Sequence, residues 1–240
     1  MSTAQEFRYI NKVGDDGWVN GKSSTGMLLP LCMYTKVSVA ILKKDGKTTV
    51  ESKDGRVSFK VLDGTHAGKV LTMSEENAKI YLGLTAPKAG AVTVTVTYGK
   101  YVEGWVSAAR GGQKLDQQFA TLKLGSISAQ ATMNTVWNGG FFPLPAGSYK
   151  IMAPDAPHDG NMTTFYRSVA KGLKHDQVWF PIQYGDNSRY VHVGNVSDGC
   201  TTVVDLNAWA AICDALISHR SADGRYVGQL LVVGKPERAK

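Results

Sequence analysis

The amino-acid sequence predicts a mainly β protein with few helices, made of a small antiparallel, sandwich-like module and a second β-rich domain. Apolar and polar residues alternate in several short runs, most regularly in Val92–Tyr98, and such alternation is typical of strands with one buried face. Asp-Gly pairs stand between the early runs, and this dipeptide is a strong signal for hairpin turns. Helical periodicity is confined to one short segment and one longer stretch after residue 205.

The N-terminal module is assigned to residues 1–105. Alternation predicts strands at Val37–Ile41 and Val57–Val61, and the Asp-Gly turns fall at residues 45–46, 54–55 and 63–64. A short helix is expected over Ser74–Leu82, with Ser74 as its N-cap. Because this module holds no nucleophile beside a base, we expect it to have a structural or binding role.

The second domain is assigned to residues 106–240, after glycines that interrupt the pattern between Gly99 and Lys114. Strands are predicted at residues 119–124, 144–151, 179–182, 190–193 and 229–233. One amphipathic helix is expected to follow Cys200. Its apolar face would consist of Leu206, Trp209, Ala210, Cys213, Leu216 and Ile217.

Composition and charge limit the classes of function. The net charge of +7 favours anionic partners such as nucleic acid, anionic lipid or an acidic cell-wall polymer. The basic residues are scattered and form no run that alternates with aromatics, so the pattern disfavours nucleic acid. No apolar run is long enough for a transmembrane helix, and residues 1–18 lack the apolar core of a secretory signal peptide. Retention in the cytoplasm, signal-independent export and a removed leader all remain open.

The segment Tyr190–Cys200 holds the residues best suited to chemistry. A thiol becomes a good nucleophile as its thiolate, and His192, eight residues before Cys200, could take its proton if strand and turn are adjacent. Otherwise His192 is a hydrogen-bonded core histidine. Gly199 allows a sharp turn, after which the N–H groups of Gly199 and Cys200 would bind an oxyanion and a following helix would lower the thiol pKa. Ser197 would hold this turn or bond the histidine.

The remaining cysteines and histidines favour structural interpretations. Cys32 and Cys213 lie in apolar patterns and are predicted to be core residues, and three cysteines do not form an even disulfide framework. The other histidines stand in polar loops or at a helix end and are expected to be solvated: His66, His158, His175 and His219. No Cys-x-x-Cys, His-x-x-x-His or carboxylate cluster is present in the sequence, so no metal site is predicted.

Three stretches carry a family resemblance. Pro143–Ile151 is similar to a Pro-x-Gly-x-Tyr-x-Ile strand, Val191–Gly194 to a histidine strand, and Ser197–Cys200 to a Ser-His-Gly-Cys signature. Through them, roughly residues 118–240 resemble the L,D-transpeptidase catalytic domain, a β-rich fold with a cysteine nucleophile. The short spacing from histidine to cysteine, and Asp198 in place of a second histidine, resemble compact, divergent members, some of which are delivered between bacteria as cell-wall toxins.

The resemblance implies cysteine-dependent acyl transfer on peptidoglycan stem peptides, with an L,D-transpeptidase or L,D-carboxypeptidase outcome and a thioester intermediate. No metal or organic cofactor is implied. Cys200 and His192 would be nucleophile and base, and four further residues would contact substrate or wall the cleft: Arg189, Tyr190, Asp198 and Trp179. Made in the cytoplasm, such a protein would reach the periplasm or cell wall by a signal-independent route. An immunity or secretion partner and the oligomeric state are left open.

An alternative is a catalytically inactive cell-wall or glycan-binding protein on the same fold, in which the N-terminal module does the binding. The departures from the family pattern at residues 193, 198 and 201 favour it. A papain-like protease is disfavoured, because in that family the cysteine precedes its histidine in the chain. A reactive-thiol probe separates the first two hypotheses, since an activated Cys200 should be labelled far faster than Cys32 or Cys213.

Overall fold

The computed structural model describes residues 2–44 and 47–238, and in these residues the chain is mainly β, as predicted. The predicted turn at residues 45–46 lies outside the described residues. Within these residues two hydrophobic clusters are present, one from the N-terminal strands and one mainly from the later strands, which Trp18 and Cys32 also join.

The N-terminal strands form one sheet rather than the two packed sheets that a sandwich would have. They are β1 (Ser2–Ile10), β2 (Trp18–Lys22), β3 (Leu28–Cys32), β4 (Lys36–Lys44), β5 (Lys47–Val50), β6 (Arg56–Val61), β7 (Val70–Ser74) and β8 (Leu82–Gly83). The order is β3-β2-β7-β6-β4-β1-β8, with β5 on β4. Alternate residues of each strand enter a single cluster, as Val57, Phe59 and Val61 do in β6, so one face of the sheet surrounds the core.

Helix α1 (Glu75–Tyr81) confirms the predicted short helix and its cap. Ser74 Oγ accepts a hydrogen bond from the backbone N–H of Asn77, which satisfies one of the free donors of the first turn. Glu75 and Glu76 in that turn also suit the positive end of the helix dipole.

The second part is a closed eight-stranded barrel. Its strands are β10 (Val92–Ser107), β11 (Gln113–Leu124), β12 (Ile127–Thr132), β13 (Gly147–Met152), β14 (Phe180–Ile182), β15 (Arg189–Val193), β16 (Thr201–Val203) and β18 (Tyr226–Val233). Around the barrel the order is β10-β11-β12-β16-β15-β14-β13-β18. Two short strands outside it, β9 (Lys88–Ala89) and β17 (His219–Arg220), pair in parallel.

The predicted boundary between the two parts falls within a strand of the barrel. The limit at residue 105 falls inside β10, all of which belongs to the barrel, whereas the N-terminal sheet ends with β8 at Gly83. Gly104 sits in a bulged part of the β10–β11 hairpin, where the register shifts between Val102 and Trp105. The glycines that suggested a seam therefore bend one long hairpin.

Two further helices complete the barrel part. α2 (Gly160–Thr163) is a single turn followed by a 3-10 helix at Thr164–Ser168. α3 (Trp209–Ile217) is the predicted amphipathic helix, and it buries Trp209, Ile212, Cys213, Leu216 and Ile217 against the barrel core. It does not directly follow Cys200, because β16 lies between them.

The parallel pair β15–β16 places the candidate residues. Its register sets Val191 beside Thr201 and His192 beside Thr202. Val191 and Val193 are buried in the barrel core, so their neighbours Tyr190 and His192 point to the outer face. The same alternation puts Cys200 on the outer face with Thr202, because Thr201 is directed inward onto Met133.

Candidate functional site

Cys200 lies in the turn that enters β16. Its side chain is only 7% exposed, and its Sγ accepts a hydrogen bond from the backbone N–H of Tyr190 at 3.4 Å. Ser197 Oγ donates to the carbonyl of Cys200 at 2.8 Å, and the carbonyl of Ser197 accepts from the N–H of Thr135. Ser197 therefore holds the turn, which is one of its two predicted roles, while its hydroxyl bonds backbone rather than histidine.

Gly199 is required by the shape of this turn. Its φ is +72°, a conformation that favours glycine, and a Cβ there would lie 2.9 Å from both Arg189 Nε and the carbonyl oxygen of Phe142. Its N–H donates to Asn134 Oδ1 at 3.0 Å. That N–H is thus already occupied, which contradicts the predicted use of Gly199 as an oxyanion donor.

The surroundings of Cys200 do not activate the thiol in this conformation. Burial raises the pKa of Cys200 to about 11, while the N–H of Tyr190 and the charge of Arg189 oppose that rise. The prediction of a helix that lowers the pKa is wrong, because residues 201–203 form a strand instead. At neutral pH the group is a thiol.

His192 is bonded elsewhere than to the thiol. Its side chain is 4% exposed; Nδ1–H donates to the carbonyl of Val193 at 2.9 Å, which leaves Nε2 to accept from Thr202 Oγ1 at 2.9 Å. Burial lowers the pKa of His192 to about 3, so the ring is neutral. The register explains this pairing, since Thr202 lies opposite His192 and Tyr190 is the residue beside Cys200. The predicted contact between imidazole and thiol is therefore not formed here.

A stack of three rings covers the outer face next to His192. Trp179 lies between His192 and His158, with ring centroids 3.8 Å and 4.0 Å away and nearly parallel planes. His158 also meets the ring of Tyr190 edge-on at 4.6 Å. Burial lowers the pKa of His158. The expectation of a solvated His158 is wrong, because its partner Trp179 is distant in sequence and no local pattern reveals it.

Arg189 and Asp198 lie beside the thiol, and each has a polar atom that forms no hydrogen bond with the described residues. The guanidinium of Arg189 lies over the rings of Phe141 and Tyr184, at 4.9 Å and 4.8 Å. Arg189 Nε and Asp198 Oδ1 are buried without a hydrogen-bond partner in residues 2–44 and 47–238. Burial also raises the pKa of Asp198. Since such groups are normally bonded, this end of the face has unused capacity for a ligand or water.

A cavity of about 310 Å³ opens at the other end of the face. Aromatic and apolar side chains dominate its wall, and Arg110 supplies a cation whose Nη1 donates to the hydroxyl of Tyr166 at 3.3 Å. The wall includes Met162, Phe165, Trp179 and His192. The volume is at the lower end of the range for ligand pockets. Trp179 thus both stacks within the fold and lines a cleft.

Two further findings bear on metals and membranes. Within the described parts of the chain, no three histidine, cysteine or acidic side chains are grouped so as to hold a metal ion. No helix in those parts is both long and apolar enough to cross a membrane.

The comparisons with known proteins are sparse. No family model matches the chain, and no curated protein matches it. A solved structure of Mycobacterium tuberculosis L,D-transpeptidase 1 is similar over 75% of this chain and 71% of that one, at 18% identity and a TM-score of 0.31. A TM-score this low carries no weight for activity or mechanism.

Proposed function

We propose that this protein performs cysteine-dependent acyl transfer on peptidoglycan stem peptides, with Cys200 as the nucleophile. The observation that carries the proposal is the pairing of β15 with β16. His192 lies on β15, and Cys200, in the turn that enters β16, lies beside Tyr190, two register positions from His192. The substrate class comes from the motif resemblance of residues 143–151, 191–194 and 197–200. The protein would act in the periplasm or cell wall.

The reaction runs through a thioester. The Cys200 thiol gives its proton to a base, and the sulfur attacks the carbonyl carbon between the third stem residue and the terminal D-amino acid. The carbon–nitrogen bond breaks, and the leaving amine takes the proton. An amine of a second stem then attacks the thioester to give a cross-link, or water attacks to give a trimmed stem. Sulfur regains its proton in either case.

The described conformation is a resting arrangement that substrate must change. Strand spacing and rise put the Cα atoms of His192 and Cys200 ~8 Å apart. That distance can be closed by two side chains if the imidazole releases Thr202 and turns towards Sγ. His192 would then act as the base. Loss of its two hydrogen bonds costs about 1–3 kcal/mol each, which substrate contacts must offset.

Arg189 is proposed to bind the carboxylate of the terminal D-amino acid. Its guanidinium lies over the rings of Phe141 and Tyr184 beside the thiol turn, and its Nε lacks a partner among the described residues. A carboxylate accepts paired N–H bonds from guanidinium, so the leaving residue would be anchored next to Sγ. Tyr190 supports the thiol through its backbone N–H, and Asp198 would contact the stem's amide groups.

A second candidate is a non-catalytic cell-wall binding protein. The specific observation in its favour is that both ring nitrogens of His192 are bonded within the fold while the thiol, 7% exposed, has a pKa of about 11. In this case the cavity beside His192 would hold a stem peptide or glycan without reacting with it.

One experiment separates the two candidates. Purified peptidoglycan is incubated with wild type, Cys200→Ala and Cys213→Ala, and the products are identified by mass spectrometry. Loss of a terminal D-amino acid, or a new stem dimer, with wild type and Cys213→Ala but not with Cys200→Ala supports acyl transfer. Cys213 is a matched control, because it is a buried thiol in the core of the barrel. Binding without product in all three proteins would establish the second candidate instead.

A further inference from the structure

The segment just before Trp179 is fastened to the N-terminal sheet. The turn Gly14–Trp18 closes on itself, with the N–H of Gly14 donating to the carbonyl of Trp18 and the N–H of Gly17 to that of Gly14, both at 2.9 Å. From this turn, the carbonyl of Asp15 accepts from the N–H of His175 at 2.6 Å. The indole of Trp18 is 6% exposed and lies in the barrel's hydrophobic cluster.

One carbonyl joins this turn to the ring stack. The carbonyl of Gln177 accepts from Trp18 Nε1 at 3.2 Å and from the N–H of His158 at 3.1 Å. A carbonyl oxygen has two lone pairs, so both are used. Trp18 and His158 therefore share an acceptor that lies two residues before Trp179. The backbone of His158 and the segment that leads to Trp179 therefore both depend on the carbonyl of Gln177.

Gly17 sets how closely the two parts approach. Its φ is +96°, and a Cβ at this position would lie 2.1 Å from Val178 Cγ2. That contact is far inside van der Waals distance, so any side chain would push Val178 and with it the residue that follows, Trp179. The close approach of the Gly17 backbone to Val178 therefore constrains the residue next to Trp179.

From these contacts we infer that Gly17 and Trp18 are positioning residues, through which the N-terminal sheet holds Trp179 and His158 in place over His192. The inference rests on the proposed function only in treating the ring stack as part of the site. It gives the N-terminal part a role in the geometry of the site.

The test compares two glycines in the turns at either end of β2. Gly17→Ala should displace Val178, whereas Gly26→Ala introduces equal backbone strain at φ +88° with Lys22 Cε, at 3.8 Å, as its near neighbour. We expect Gly17→Ala, and not Gly26→Ala, to move the NMR resonances of the Trp179 indole N–H and the imidazole C–H groups of His158 and His192. In the acyl-transfer assay, kcat should fall by up to about a hundredfold, with a smaller change in KM.

A second variant keeps the inference testable if Gly17→Ala fails to fold. Trp18→Phe keeps an aromatic ring in the core and removes the Nε1–H donor to Gln177. It should shift the His158 and Trp179 resonances while thermal unfolding stays cooperative. Unchanged ring resonances in both variants would overturn the inference. Moved resonances in the variants, together with no transferase activity in the wild type, would refute the proposed function and leave the positioning role intact, so the two failures are distinguishable.

Discussion

Cys200 and His192 share one face of one strand pair, yet their surroundings differ. Both ring nitrogens of His192 are bonded, and the ring is stacked on Trp179. Beside Cys200, Arg189 Nε and Asp198 Oδ1 are buried with no partner in the described residues. The imidazole end is completed by the protein itself, whereas the thiol end leaves polar atoms for something else to bond. A ligand should therefore bind at the thiol end and draw the imidazole towards it.

The pH dependence of thiol reactivity tests the largest contrast. Because the pKa of Cys200 is about 11, its alkylation by iodoacetamide should rise about tenfold per pH unit, or roughly a thousandfold from pH 7 to pH 10. Peptide-resolved mass spectrometry gives the rate for each cysteine. Cys213, 1% exposed and in the same digest, reports global unfolding. A rate that levels off below pH 8 would reveal a thiolate paired with an imidazole, and the contrast between the two ends would disappear.

Two arginines sharpen the comparison, one at each end of the face. Arg189→Gln should lower kcat/KM by roughly thirtyfold, equivalent to about 2 kcal/mol, because a charge-assisted bond to the substrate carboxylate is lost. Arg110→Gln, which alters the cavity beside His192, should change it less than about threefold. Steady-state kinetics on a stem peptide give both values. The opposite ranking would move the carboxylate site to the imidazole end.

Acid stability reports on the burial of His192. Its pKa is about 3 in the fold and 6.5 when unfolded, so between these values the unfolded chain binds more protons, and stability falls as the pH drops below 6.5. One unit lower, at pH 5.5, the loss should be about 1.4 kcal/mol relative to neutral pH. Urea unfolding of wild type and His192→Gln at both pH values measures this. Equal pH dependence in the two proteins would mean that the ring is solvated.

The bond from Thr202 to His192 should give the smallest effect. Thr202→Val keeps the side-chain shape and leaves Nε2 without a donor, which should lower the free energy of unfolding by about 1 kcal/mol. Thr202→Ser retains the hydroxyl and serves as the control. If both variants unfold at the same urea concentration, the hydrogen bond from Thr202 to His192 does not stabilise the fold. The imidazole would then have one hydrogen bond fewer than the comparison assumes.

Local patterns predicted local structure well. Ser74 capped the helix that its sequence indicated, and the alternating run at Val92–Tyr98 is a barrel strand. The helix predicted directly after Cys200 failed because Thr201–Val203 is too short a run to be recognised as a strand. The two patterns that predicted structure correctly each span only a few residues, the range over which propensity and periodicity act.

Contacts between residues that are distant in the chain could not be predicted from the sequence patterns. Cys200 and His192 were expected to meet because they are close in the chain, but the register of the parallel pair offsets them by two residues. That register is set by packing of the whole barrel, which the pattern of a single strand does not record. The stack of His158 on Trp179 is a contact of the same kind.

The pairing of β10 with β18 has a consequence for how this protein is made. β18 lies between β10 and β13, so the barrel cannot close before residues 226–233 leave the ribosome. The N-terminal sheet is complete at residue 83 and can fold while translation continues. A nascent chain stalled before β18 would therefore display a folded first sheet and an open barrel, in which the turn that holds Cys200 lacks the support of the closed sheet.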